Sequence, residues 1–189
     1  MKLNYVENKK GEKAEKEDKT EKNEKIEKNT KKGAAAEKQA KEEKVYIIPL
    51  GGMEEVGKNM TAFQYKDEIV IVDAGLTFPE DEHLGIDVII PDFTYLENNK
   101  DKIKSLLLTH GHEDHIGAIP YLFQKLGSTD ITIYGGKLTL ELAKAKFERK
   151  DAVIPKMKVV KGRTKLKLSK YFSAEFISVT HSIADCYAI

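Results

Sequence analysis

The sequence predicts a layered α/β domain over residues 45–189, and three observations carry that expectation. Short apolar runs rich in β-branched and aromatic residues recur from Val45 onward, separated by Gly, Pro and Asp, as strands separated by turns require. Two longer segments carry apolar residues at helical spacing and lie between such runs. Strands first, then strand and helix in alternation, then strands again is the order that layered α/β domains follow.

Taken in order, VYIIPL (45–50), MTAFQY (60–65) and EIVIVD (68–73) read as a strand, a loop and then a hairpin. IKSLLLT (103–109) is the next strand. IGAIPYLFQKLG (116–127) and KLTLELAKAKFERK (137–150) have the spacing of helices, with ITIYG (131–135) as a strand between them. MKVV, TKLKL and FSAEFISVT return to strand character. In TKLKLSK the alternation points Leu166 and Leu168 inward and leaves Lys165 and Lys167 as a solvated face that protects an edge.

Composition shifts sharply near residue 44. Residues 1–44 hold 14 Lys, 10 Glu and 1 Asp, a net charge of +3. Apolar groups there are too few to offset an ordering entropy of roughly 1–2 kcal/mol per residue, so the segment reads as a disordered Lys/Glu-rich tail, with a solvated helix as the alternative. Its interleaved glutamates nearly cancel the field of its lysines, which weakens any case for RNA binding through the tail. At 189 residues the chain has room for one domain of ordinary size. No run approaches the apolar length of a membrane span, and the N-terminus is charged from Lys2, so a soluble, cytoplasmic protein without a membrane partner is expected. Cys186 is the only cysteine, which excludes an intrachain disulfide and reads as a packed small side chain.

The densest chemistry is His110-Gly111-His112-Glu113-Asp114-His115, directly after the strand at 103–109. Three imidazoles and a carboxylate over one tight turn suit Zn²⁺ and other borderline divalent metals, and their number points to a binuclear site. A regular helix or strand could not aim His110, His112, Asp114 and His115 at one point, so a loop between strand end and helix is expected, with Gly111 supplying backbone freedom. His83, alone in FPEDEHLGID, reads as a plain loop residue.

The H-x-H-x-D-H string after an apolar strand, an earlier strand ending in Asp73 (IVIVDAG) and a later one ending in His181 (SVTHS) resemble the metallo-β-lactamase superfamily. PLGGMEEVGKNM, IVDAGLTFPEDEHLGIDVIIPD and THSIADCYAI narrow the resemblance to the ribonuclease J family, an RNA-processing branch that also carries a β-CASP domain. It covers about residues 45–189. The resemblance implies an αββα four-layer sandwich. It implies that His110, His112 and His181 bind one metal, that Asp114 and His115 contribute to a second, and that Asp73 orients the site. Gly51 and Gly52 would let the first loop pass close to it. Two divalent ions, Zn²⁺ before Mn²⁺ or Mg²⁺, would then serve RNA phosphodiester hydrolysis in the endonuclease mode, the 5′-to-3′ exonuclease mode or both, with Asp114 helping to handle the proton and Asp73 counted with it in the catalytic set. RNA is the implied partner, together with a homo-oligomer or other RNA-decay proteins.

Two other function classes stay open at this point: a hydrolase of the same fold acting on thioesters, and a non-catalytic module docking onto RNA-decay partners. The family pattern also continues past His181 with a bridging Asp, a further His, the β-CASP insert and a closing half of the lactamase domain. On that pattern residues 45–189 encode the N-terminal half of the sandwich, the strand FSAEFISVT lacks later partners, and the chain alone is a weak nuclease. Ala184 and Cys186 stand where the pattern has proline and a small residue such as serine. Charge is polarised along the chain: residues 144–170 hold 11 basic against 2 acidic residues, and residues 45–115 hold 5 basic against 14 acidic. A basic segment folded to one face would attract a polyanion.

Overall fold

The computed structural model describes residues 43–127, 130–150 and 152–189. Of the disordered tail expected over residues 1–44, residues 1–42 lie outside the described residues. The strands form where the apolar alternation places them: β1 (Val45–Gly51), β2 (Met60–Tyr65), β3 (Glu68–Val72), β4 (Ile103–Leu107), β5 (Thr132–Gly135) and β6 (Met157–Val159) make one six-stranded sheet in chain order. The hairpin expected of 60–65 and 68–73 forms, β2 pairing antiparallel with β3, and β2 also pairs antiparallel with β1 on its other side. From β3 to β6 every pairing is parallel, each crossover after β4 carrying a helix over the same face.

The helices are shorter than their periodicity. Of segment 116–127 only α3 (Ile119–Leu126) is a continuous helix, while Ile116 ends a separate turn, α2 (Glu113–Ile116), and α1 (Thr94–Glu97) precedes β4. Pro120 sits in the first turn of α3, where its missing N–H is tolerated, whereas a helix running through from Glu113 would need that donor. Gly127 closes α3 in the left-handed conformation at φ 61°. The longest helix is α4 (Lys137–Glu148), with its buried stripe at Leu140, Ala143 and Phe147.

Both faces of the central strands are covered, which is why β3 and β4 read as continuous apolar runs rather than alternating ones. Ile69, Ile71, Leu106 and Leu108 pack under the helices with Ile119, Leu122, Phe123 and Phe147. Val70 and Leu107 point the other way, onto Phe176 and Tyr187 of a second sheet formed by β7 (Thr164–Lys167), β8 (Ser173–Ser178) and β9 (Tyr187–Ala188). Each fully buried aliphatic side chain of this kind contributes roughly 1.5–3 kcal/mol. Glu68 joins the two sheets: its carboxylate accepts hydrogen bonds from Ser169 Oγ at 2.5 Å, Tyr171 N at 3.0 Å and Lys170 N at 3.3 Å.

The expectation that FSAEFISVT lacks later partners is overturned. Tyr187 and Ala188 pair antiparallel with Ser178 and Ile177, because the chain reverses after His181 and returns along β8. The solvated-face reading of TKLKLSK holds: Lys165 and Lys167 are exposed, while Leu166 and Leu168 pack against the second core. Lys165 also pairs with Glu175 across the strands at 3.2 Å.

Candidate metal centre

Parallel strands deliver their C-terminal ends to one edge of the sheet, the usual place for a site in such folds. Here β3 delivers Asp73, and β4 delivers Thr109, His110 and the turn that follows. His181 comes from the loop after β8, and β9 is what fixes that loop. Tyr187 N donates to Thr109 O at 2.9 Å and Val179 N to Cys186 O at 3.1 Å, which folds residues 179–186 back over the end of β4. Asp185 adds a third tie: Oδ2 accepts from Leu138 N at 2.9 Å, satisfying an otherwise orphaned donor in the first turn of α4.

The result is a triangle of imidazoles. His112 Nδ1 lies 3.1 Å from His110 Nε2 and 3.2 Å from His181 Nε2, and one ligand atom from each of the three lies within 4.8 Å of the others. The ring centroids are 4.6 to 4.8 Å apart. Ligand atoms around a tetrahedral Zn²⁺ with bonds of 2.0–2.1 Å sit about 3.3 Å apart, so the spacing fits one shared ion. A Cβ on Gly111 would stand 2.7 Å from the terminal methyl of Leu142, which a shift of that flexible side chain could relieve, and the backbone there does not need the left-handed conformation. His110 is also in the neutral form that a metal would require. Burial first, and then the neighbouring His115, His112 and His181, push its pKa down to about 4, so the ring is neutral at pH 7. Thr109 Oγ1 lies 3.0 Å from its Nδ1, and with the proton on that nitrogen the Nε2 lone pair faces the triangle.

The other half of the centre is built differently. Asp73 is 4% exposed and holds a left-handed backbone at φ 60°, a costly state for a non-glycine residue that its contacts over-determine. Its Oδ1 accepts from Thr109 N at 2.8 Å, and its Oδ2 accepts from Thr109 Oγ1 and His115 Nδ1, both at 2.7 Å. Burial works to lower the pKa of His115, but the hydrogen bond and charge of Asp73 outweigh it and raise the value. With Nδ1 donating to Asp73, the His115 Nε2 faces Asp114, whose Oδ2 lies 3.4 Å away.

Of the residues singled out in the sequence, His110, His112 and His181 meet at one point, while His115 and Asp114 form a pair beside it. Asp73 touches His115 and Thr109 rather than the triangle. The loop expected for the whole ligand string extends only to His112; Glu113, Asp114 and His115 lie on the single turn α2. Gly51 and Gly52 do allow a close approach, but to Lys58 and Asn59: a Cβ on Gly51 would lie 2.2 Å from Lys58 O, and one on Gly52 2.7 Å from Asn59 Oδ1. His83 is exposed, with Nδ1 accepting from Glu80 N. Cys186 is buried and free, and burial pushes its thiol pKa up. Asn59, Thr109 and Asp185 were not legible as site residues, because their partners lie 55, 36 and 47 positions away.

The fold and this centre define a class, and the chain belongs to the metallo-β-lactamase superfamily, whose family model matches residues 53–169. Within it, the chain is similar to ribonuclease J of Synechocystis sp., 44% identical over 154 residues that make up 80% of this chain and 24% of that protein. Similarity to ribonuclease J of Thermus thermophilus is 42% over 150 residues, 76% of this chain and 26% of that one. The chain thus spans about a quarter of the length of the curated relatives it matches. Among solved structures, the metallo-β-lactamase fold protein YhfI of Bacillus subtilis superposes with a TM-score of 0.50 at 23% identity, over 76% of this chain and 55% of that one.

Proposed function

We propose that this chain carries the metal-binding part of a metal-dependent ribonuclease that hydrolyses RNA phosphodiester bonds in the cytoplasm, in RNA processing and decay. The observation that carries the reading is the convergence of His110, His112 and His181 beside the Asp73–His115–Asp114 row, in a chain more than 40% identical to two ribonucleases J. His110, His112 and His181 would hold one divalent ion, and Asp114 with His115 a second. Nitrogen donors favour Zn²⁺ over Mn²⁺ or Mg²⁺ at the triangle. Bound ions supply Lewis-acid polarisation of the phosphate and activation of water.

The side chains themselves do the rest. Asp73 and Thr109 hold His115 and His110 through their Nδ1 atoms, which would leave the Nε2 atoms to ligate without reorganisation. Asp114, half exposed on α2, offers a carboxylate oxygen for the proton that the attacking water gives up. The polarised charge supports a polyanionic substrate, with the basic residues of 144–170 spread over α4, β6, β7 and the segments connecting them rather than among the ligands.

The test sets a labelled single-stranded RNA beside a thioester, each with added Zn²⁺ or Mn²⁺. The expected result is weak metal-dependent RNA cleavage, absent in His112→Ala, with no thioester turnover. Thioester hydrolysis without RNA cleavage would overturn the reading in favour of the acyl-transfer branch, and metal uptake with neither activity would favour a docking module.

A further inference from the structure

PLGGMEEVGKNM is a distinctive run left without a chemical role, and Asn59 within it reaches the centre. Its backbone is clamped on both sides: Asn59 N donates to Asp114 O at 3.0 Å, and Asn59 O accepts from Gly75 N at 3.0 Å. Gly52, at φ 82°, lies against the Oδ1 side of its amide. The other side of the amide points at the second half of the centre. Asn59 Nδ2 donates to Asp114 Oδ2 at 3.0 Å and to Asp114 O at 3.1 Å, and lies 3.2 Å from His115 Nε2.

Three features make this more than a packing contact. First, the gap between His115 Nε2 and Asp114 Oδ2 is 3.4 Å, close to the roughly 3.3 Å separating two ligands of one tetrahedral ion. Second, Asp114 is otherwise loosely held. Among the described residues its carboxylate meets only Asn59 and His115, and its side chain is 42% exposed. Third, an amide nitrogen carries only donors, so it orients a carboxylate in its ionised, ligating form.

We propose that Asn59 is a positioning residue for the second cation, aiming the Asp114 carboxylate so that it and His115 share one ion. The inference rests on the metal-centre reading above. It does not make Asn59 a ligand: the residue acts through Asp114, as the outer partners of metal-bound carboxylates do. An alanine at 59 keeps both backbone hydrogen bonds and removes only the amide, so the effect of aim is separable from that of folding.

The test is a Co²⁺ titration of the metal-free 189-residue chain, followed by visible absorption and calorimetry. In the wild type a tight step, the histidine triangle, is followed by a weaker one. Asn59→Ala is expected to leave the tight step within about twofold and to weaken the second about ten- to hundredfold, the usual loss when an outer partner goes. In an Asp114→Ala background, adding Asn59→Ala should then change the second step no further, the mark of two residues acting as a unit. An unchanged second step, both steps weakened alike, or a single step in the wild type at millimolar Co²⁺ would each overturn the proposal. No Co²⁺ uptake at all would instead remove the metal-centre reading on which it stands.

Discussion

The two halves of the centre contrast in how they are satisfied. In the His110–His112–His181 triangle, three ring nitrogens face one another across 3.1 and 3.2 Å with no acidic partner between them, an arrangement that a cation resolves. In the Asp73–His115–Asp114–Asn59 row, every ligand atom already has a hydrogen-bonding neighbour. The triangle thus brings ring nitrogens only to one another, whereas the row ties its imidazole to a buried carboxylate and an amide. The difference teaches that only one half should matter to the metal-free fold.

The largest effect expected from that contrast is on stability. Asp73→Ala strips the acceptor from Thr109 N, Thr109 Oγ1 and His115 Nδ1 in a buried site, and should cost about 3 kcal/mol in urea denaturation of the metal-free chain. His112→Ala, in the half-exposed triangle, should cost under about 1 kcal/mol in the same experiment. Equal costs would break the comparison.

Next in size is an opposed pH dependence. His110 titrates lower in the fold, about 4 against 6.5, so its contribution is present above 6.5 and is lost as pH falls from there toward 4. His115 titrates higher in the fold, so its contribution is present below 6.5 and is lost as pH rises through the raised value. In metal-free denaturation at about pH 5 and pH 8, His110→Asn should remove about 2 kcal/mol of acid-side loss. His115→Asn should make the acid-side loss steeper. A pH profile unaltered by either change would contradict the assignment.

The smallest effect concerns the tie that holds the loop bearing His181. Asp185→Ala should cost about 1 kcal/mol and speed hydrogen exchange at the Leu138 amide, while Asp185→Asn should retain most of both. Unchanged exchange at Leu138 would show that the loop bearing His181 is held by β9 alone.

Much of this was legible in the sequence, for reasons visible in particular elements. Runs such as EIVIVD and IKSLLLT announce buried strands because both their faces are covered, and the structure ends them one or two residues short of the apolar pattern. The ligand string was legible because its members are neighbours in sequence, and His181 because a family pattern supplied it. What the sequence does not make legible is long-range or local to a single residue. Pro120 divides a segment whose periodicity alone reads as one helix. The two-residue β9 is too short to carry any alternation, yet it places His181. Asn59 acquires its role only when the loop after β1 folds onto α2, and nothing in its immediate neighbours encodes that contact.

The central claim is that the triangle binds metal. Its most direct test is the metal content per chain after purification without chelators and saturation with Zn²⁺, for the wild type and His112→Ala, with circular dichroism to confirm that both are folded. The account predicts tightly bound metal in the wild type and its loss in a folded His112→Ala chain. A folded wild type that takes up no metal, or a His112→Ala chain that retains it, would contradict the account.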